Sequence, residues 1–181
     1  MIFKETKLQG AFVIELEKKD DARGFFARAF CQNEFAQAGL QLPIIQVNVS
    51  SNFKKGTLRG MHFQAEPYGE VKLIRCTRGA IYDVIIDLRK GSPTHKQWFG
   101  VELTGNNYKM LYVPDKFAHG YLTLEDSSDL LYFHSQAYVA GYERGVRYDD
   151  PAFRIQWPSK VAEISKKDAS WPLFGSVALE V

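Results

Sequence analysis

Apolar and polar residues alternate with a period of two along much of this chain, the pattern of strands that turn one face to a core. The clearest run spans Ala80 to Leu88: Tyr82, Val84, Ile86 and Leu88 share one face, and Ile81, Asp83, Ile85 and Asp87 share the other. An acid among such apolar neighbours marks either a strand end or a site. Further strands are predicted over 71–76, 97–103, 109–113, 119–124 and 129–135, all rich in β-branched and aromatic residues. Turn signals at 76–79, 89–93 and 104–107 separate them at short intervals. Many short strands so spaced predict an all-β sandwich or barrel. Helix signals are few. A short helix is expected over 33–39, capped by Asn33 and ended by Gly39, and helical turns are expected at 159–163 and 165–168.

Composition changes this picture little. The 181 residues suit one domain, 1–181, able to bury its own core. Lys and Arg number 23 against 21 Asp and Glu, a net charge of +2 that gives no support to a nucleic-acid or membrane partner. Cys31 and Cys76 are too few for a disulfide framework. No stretch approaches the roughly 18 apolar residues of a membrane span, and the first residues lack an apolar leader. The expectation is a cytoplasmic protein.

Several residues could carry chemistry. His62, in Leu58-Arg-Gly-Met-His62, and His119, in Phe117-Ala-His119, have the side chain best suited to proton transfer near neutrality. Either could instead satisfy a backbone carbonyl. Phe63 and Gln64 follow His62, so no second histidine stands one residue away, and two lone histidines make neither a zinc site nor a facial triad. Arg23 and Arg59 each precede a glycine, a pairing that suits close approach to a pyrophosphate or, equally, a surface ion pair beside a turn. Strict alternation puts Arg59 and His62 on opposite faces, so both reach one site only if a bulge or a strand end falls near Gly60. Lys72 could stabilise an oxyanion or snorkel from a rim. Tyr132 could deliver a proton or fill the core. Asp168 could cap a helix or orient a distant histidine.

Taken in order, the segments Asp21-Ala-Arg-Gly-Phe-Phe26, Gln46-Val-Asn48, Leu58-Arg-Gly-Met-His-Phe-Gln64, Lys72-Leu-Ile-Arg-Cys76, Asp87-Leu-Arg89 and Phe117-Ala-His-Gly120 are jointly distinctive. With Tyr132, Tyr138 and Asp168, they make the chain resemble the dTDP-4-dehydrorhamnose 3,5-epimerase family over nearly its whole length. The resemblance implies a cupin-like double-stranded β-helix (jelly-roll) barrel with short peripheral helices, a homodimer, and no metal or organic cofactor. It implies a dTDP-linked 4-keto-6-deoxy sugar as substrate, inverted by proton transfer through an enolate. By position, His62 matches the base, Asp168 its carboxylate partner, Tyr132 the acid and Lys72 the cation beside the ketone oxygen. Arg59 matches a pyrophosphate ligand, His119 a residue near the sugar, Gln46 and Asn48 base contacts, and Tyr138 an aromatic wall. Arg23 and Phe26 match residues that reach the nucleotide, often from the neighbouring subunit. Departures at Arg28, where the family carries glutamate, at Phe133 and His134, and across Ala140–Arg144 keep a 3- or 5-only epimerase as the alternative. A non-catalytic sugar-nucleotide-binding barrel and a metal-dependent cupin enzyme stand behind it.

Overall fold

The computed structural model describes residues 1–176. In chain order its elements are β1 (Ile2–Glu5), β2 (Phe12–Glu15), β3 (Lys19–Asp21), β4 (Gly24–Phe26), α1 (Gln32–Gln37), β5 (Gln46–Asn52), β6 (Thr57–Gln64) and β7 (Lys72–Arg78). They continue with β8 (Ala80–Asp87), β9 (Trp98–Thr104), β10 (Met110–Val113), β11 (Phe117–Thr123), β12 (Ser128–His134), β13 (Glu143–Gly145), β14 (Glu163–Ile164) and α2 (Lys166–Ala169).

Two sheets face each other. The first runs β1-β2-β10-β7-β12-β5, and the second runs β13-β6-β11-β8-β9 with β14 added parallel to β6. Ile74, Cys76, Leu111 and Leu130 from the first meet Ile81, Ile85, Leu103 and Tyr121 from the second in one buried core. The strand pairs within the two sheets are otherwise antiparallel, and the whole is the expected jelly roll. Period-two alternation explains which residues enter this core. On β8, Ile81 and Ile85 face the other sheet while Val84, Ile86 and the following Leu88 are covered from outside by Phe63, Val146 and Phe153. A third cluster, centred on Phe35 of α1, covers the outer face of the first sheet through Ile14, Leu73 and Met110. Both faces of the sandwich are therefore buried, and apolar residues occupy both sides of β8 and β11.

The sequence-based helix boundaries need correction. Asn33 lies inside α1; the N-cap is Cys31, which offers no side-chain hydrogen bond, and Gly39 does end the helix with φ +76°. At 165–168 the cap is Ser165, whose hydroxyl accepts from Asp168 N at 2.9 Å, so Asp168 is a residue within α2 rather than its cap. The turn expected at 159–163 is not helical, and β14 begins at Glu163 instead. Strands β1 to β4 carry no clean alternation, and neither they nor β5 were expected. Among the described residues no helix is long and apolar enough to cross a membrane.

Candidate active site

A cavity of about 640 Å³ opens between the two sheets and borders the apolar core at Tyr121 and Tyr132. An adjoining recess of about 800 Å³ shares Arg59, His62 and Glu143 with it. The second sheet supplies Arg59 and His62 from β6 and His119 from β11. The first supplies Gln46 and Asn48 from β5, Lys72 from β7 and Tyr132 from β12, and Tyr138 follows shortly after that strand. Registry explains the grouping on the first sheet. Gln46, His134 and Lys72 form one transverse row, and Asn48, Tyr132 and Ile74 form the next. Side chains directly opposite on neighbouring strands lie roughly 5 Å apart, so a row is a built-in cluster.

The bulge that Arg59 and His62 require is present. On β11, His119 pairs with His62 and Tyr121 pairs with Arg59, so two steps along β11 span three along β6. Gly60 makes this possible. Its φ is +116°, and a Cβ there would lie 2.5 Å from Gly120 Cα and 2.6 Å from His119 O. Only a glycine fits so close to the neighbouring strand.

His62 is half-buried, with Glu143 Oε1 4.0 Å from its Nδ1. Loss of hydration, and then the positive charge of Lys72, pull its pKa down to about 4, against the opposing pull of Glu143 and Asp168. The imidazole is therefore neutral at pH 7 and free to accept a proton. Asp168 lies in the recess with His62 and acts on it through its charge, while its Oδ1 accepts from Trp171 Nε1 at 3.3 Å. Tyr132 has the opposite disposition. Burial, reinforced by Tyr121 and Asp83, pushes its phenol well above the usual value, so it stays protonated. Its ring meets His119 edge-on at 5.8 Å. His119 is buried, and its Nε2 lies 2.5 Å from Asp83 Oδ1. Burial raises the Asp83 carboxyl against the pull of His119.

Arg59 is exposed and lines both the cavity and the recess, with its Nε bonded to Asn52 Oδ1 at 2.9 Å, and Tyr121 Oη bonds the same oxygen at 3.0 Å. Lys72 is buried and pairs with Glu70 at 3.0 Å. Arg23 and Phe26 are exposed on the β3–β4 hairpin and line neither the cavity nor the recess; Arg23 instead pairs with Asp21 at 2.6 Å. Arg28 pairs with Glu34 of α1. Sequence reasoning missed Glu70 and Glu143 as cavity residues, and it met His134 only as a departure. Lys167, which pairs with Glu143 at the recess, was also missed. The alternation that places Lys72 and Tyr132 inward also places His134 inward, so that residue was readable. Glu143 sits on a three-residue strand with no periodic signal of its own. Among the described residues, no group of three or more His, Cys, Asp or Glu side chains is arranged to hold a metal ion.

A family model described as dTDP-4-dehydrorhamnose 3,5-epimerase matches residues 5–176. A dTDP-4-dehydrorhamnose 3,5-epimerase of Sinorhizobium fredii is 39% identical over 173 residues, covering 95% of this chain and 89% of that protein. The solved structure of the Bacillus anthracis enzyme, with TDP and PPi bound, is 40% identical with a TM-score of 0.91, over 95% of this chain and 98% of that one. The Legionella pneumophila enzyme in complex with dTDP-4-keto-L-rhamnose is 33% identical with a TM-score of 0.91, over 98% of this chain and 94% of that one.

Proposed function

The chain belongs to the dTDP-4-dehydrorhamnose 3,5-epimerase family, and from that premise we propose how its cavity does the family's work. The protein is an epimerase that converts dTDP-4-keto-6-deoxyglucose to dTDP-4-keto-L-rhamnose. The C4 ketone of the substrate acidifies the protons on C3 and C5. His62, neutral at pH 7, removes one of them and leaves an enolate whose charge rests on O4. Lys72, buried at the cavity wall, stabilises that oxyanion where water is scarce. Tyr132, held protonated, returns a proton from the other side of the ring, and repetition at the second carbon completes the double inversion. Glu143 and Asp168 favour the imidazolium that abstraction creates. The ketone is already present in the substrate, so the inversion itself transfers no electrons.

The observation that carries this reading is the placement of His62 and Tyr132 on facing sheets across one cavity, with opposite proton affinities. Inversion needs an acid and a base on opposite faces of one ring, and two facing sheets supply that arrangement. Arg59 holds the pyrophosphate at the mouth, His119 borders the sugar, Gln46 and Asn48 read the base, and Tyr138, exposed beside them, stacks on it.

The working unit is a homodimer in this reading. Strand β5 is an edge strand with a single neighbour, and its outward side chains Val47 and Val49 are 49% and 73% exposed, beside Ile45 at 60%. Such an edge calls for a partner. Arg23 and Phe26, exposed and outside the lining of their own cavity, then complete the nucleotide end of the neighbour's site.

Proton NMR of dTDP-4-keto-6-deoxyglucose with the purified protein in deuterated water tests the chemistry. Both the C3 and C5 signals disappear as the L-lyxo ketosugar forms. Exchange at one carbon alone would replace double by single epimerisation, and exchange that survives in His62→Ala at the parent rate would remove His62 as the base.

A further inference from the structure

His134 has no role in the proton transfers, yet it is buried in the cavity wall with both ring nitrogens engaged. Its Nδ1 lies 2.7 Å from Glu70 Oε2 and its Nε2 lies 3.3 Å from Asn48 Nδ2. Glu70 Oε1 in turn pairs with Lys72 Nζ at 3.0 Å. At the other end, Gln46 Nε2 donates to Asn48 Oδ1 at 3.2 Å, and Gln46 Oε1 accepts from the backbone N–H of Tyr138 at 3.0 Å. A continuous chain of hydrogen bonds therefore runs from the base-reading end of the cavity to the cation assigned to the ketone oxygen.

The polarity of this chain is fixed from one end. A backbone N–H can only donate, so Gln46 must present its oxygen to Tyr138 and its nitrogen to Asn48. Asn48 must then present its nitrogen to His134, and His134 Nε2 must accept. That leaves the proton on Nδ1, where Glu70 receives it. Glu70 suits the role: despite its burial, the charge of Lys72 and the hydrogen bond from His134 hold its carboxyl below the ordinary range, so it is an acceptor at both oxygens. A proton on Nε2 would face the Asn48 amide donor to donor. Relieving that clash requires turning Asn48, then Gln46, and finally opposes Gln46 Nε2 to the Tyr138 N–H. The His134 ring also lies nearly parallel to Tyr132, at 14° and 5.8 Å, which restricts its rotation.

We propose that His134 is a positioning residue, held as the neutral Nδ1–H tautomer, that ties Asn48 at the nucleotide end to the Glu70–Lys72 pair at the sugar end. The inference rests on the assignments of Lys72 and Asn48 made above. It implies that nucleotide recognition and enolate stabilisation are fixed by one shared scaffold, so that loosening one end loosens the other.

The test has two arms. In protein labelled with ¹⁵N-histidine, long-range proton–nitrogen NMR near pH 7 identifies His134 by its loss in His134→Gln. The expected signature is a protonated Nδ1 and a bare Nε2; an Nε2–H or imidazolium form overturns the proposal whatever the enzyme turns over. In the kinetic arm, His134→Leu removes both bonds and lowers kcat while raising KM for the dTDP-linked ketosugar, each by about tenfold, the effect of one hydrogen bond to a charged partner. His134→Gln keeps a donor and an acceptor and restores most of both. In a Lys72→Met background His134→Leu leaves kcat nearly unchanged, because its target is gone. Unaltered kinetics in His134→Leu, an undiminished kcat effect in the Lys72→Met background, or a His134→Gln protein that melts like the parent but stays impaired would each overturn it. A wild-type protein without exchange activity would instead sink the epimerase reading, and the tautomer would still decide the relay.

Discussion

Lowering the pH interrogates the proposed base directly, because a base that stays neutral to about pH 4 behaves unlike an ordinary histidine. His62 is pulled from the ordinary value of 6.5 down to about 4, first by loss of hydration and then by Lys72. The difference corresponds to about 3 kcal/mol in favour of the neutral ring. At pH 6.5 half of an exposed imidazole is protonated, whereas about 0.3% of His62 is. The quantity kcat/KM reports the free enzyme, so its acid limb should stay flat from pH 8 to about 5 and fall only below that. Charge removal then moves the limb in opposite senses. Lys72→Met removes a group that lowers the His62 pKa and shifts the limb upward; Glu143→Gln and Asp168→Asn remove groups that raise it and shift the limb downward. The sign for stability is the same as for activity. Between about 4 and 6.5 the unfolded chain binds a proton at His62 that the folded chain refuses, so stability falls as the pH drops through that window. Glu70 adds to the loss below its ordinary 4.5, because its folded value is about 2 and protonation ends its contribution. The assay is initial-rate epimerisation from pH 4.5 to 8, with recovery of full rate on return to pH 7 as the control for unfolding. A wild-type inflection near 6.5, or a limb in Lys72→Met that does not move, would refute the reasoning.

Gly60→Ala should destabilise the fold by about 3 kcal/mol, from positive φ and overlap with Gly120 Cα at 2.5 Å, and should cut activity as Arg59 and His62 lose their common site; a urea midpoint equal to the parent's would contradict the bulge argument. Tyr132→Phe should slow inversion by about a hundredfold or more while His62 still washes deuterium into the substrate, separable by product NMR; full inversion at the parent rate would remove Tyr132 as the acid. Val49→Lys, placing a charge on the exposed edge of β5, should yield monomers in sedimentation and raise KM as the neighbour's Arg23 and Phe26 are lost from the site; an unchanged monomer–dimer balance would move the interface elsewhere.

Much of the site is legible in the sequence. Alternation along 71–76 and 129–135 already put Lys72 and Ile74 on one face and Tyr132 and His134 on another, because successive side chains of a strand point to opposite sides whatever the tertiary fold. The conflict between Arg59 and His62 was legible too: it called for a bulge or a strand end near Gly60, and the register shows the bulge. Helix ends were less legible. Asn33 is a good cap by type, yet the chain enters α1 two residues earlier, at Cys31, to bury Phe35 against Ile14 and Leu73. Packing overrode the local preference there. Strand β5 does alternate over Gln46-Val47-Asn48-Val49-Ser50, but in the reverse of the usual sense: its polar side chains Gln46 and Asn48 line the cavity and its valines face outward.

The sequence by itself determined the central strands β7 to β12, the two faces of each and the family, since these depend on local backbone geometry and on the order of short motifs. Only the tertiary structure decided which charges meet. Glu143 stands 4.0 Å from His62, and Glu70 reaches His134 across 64 residues of chain while Asn48 reaches it across 86. Those meetings follow from sheet order and register, which are fixed by hydrogen bonds and core packing between distant segments. The low proton affinity of His62 belongs to the same class of fact, because hydration is lost and Lys72 is brought near only when the two sheets close over the cavity.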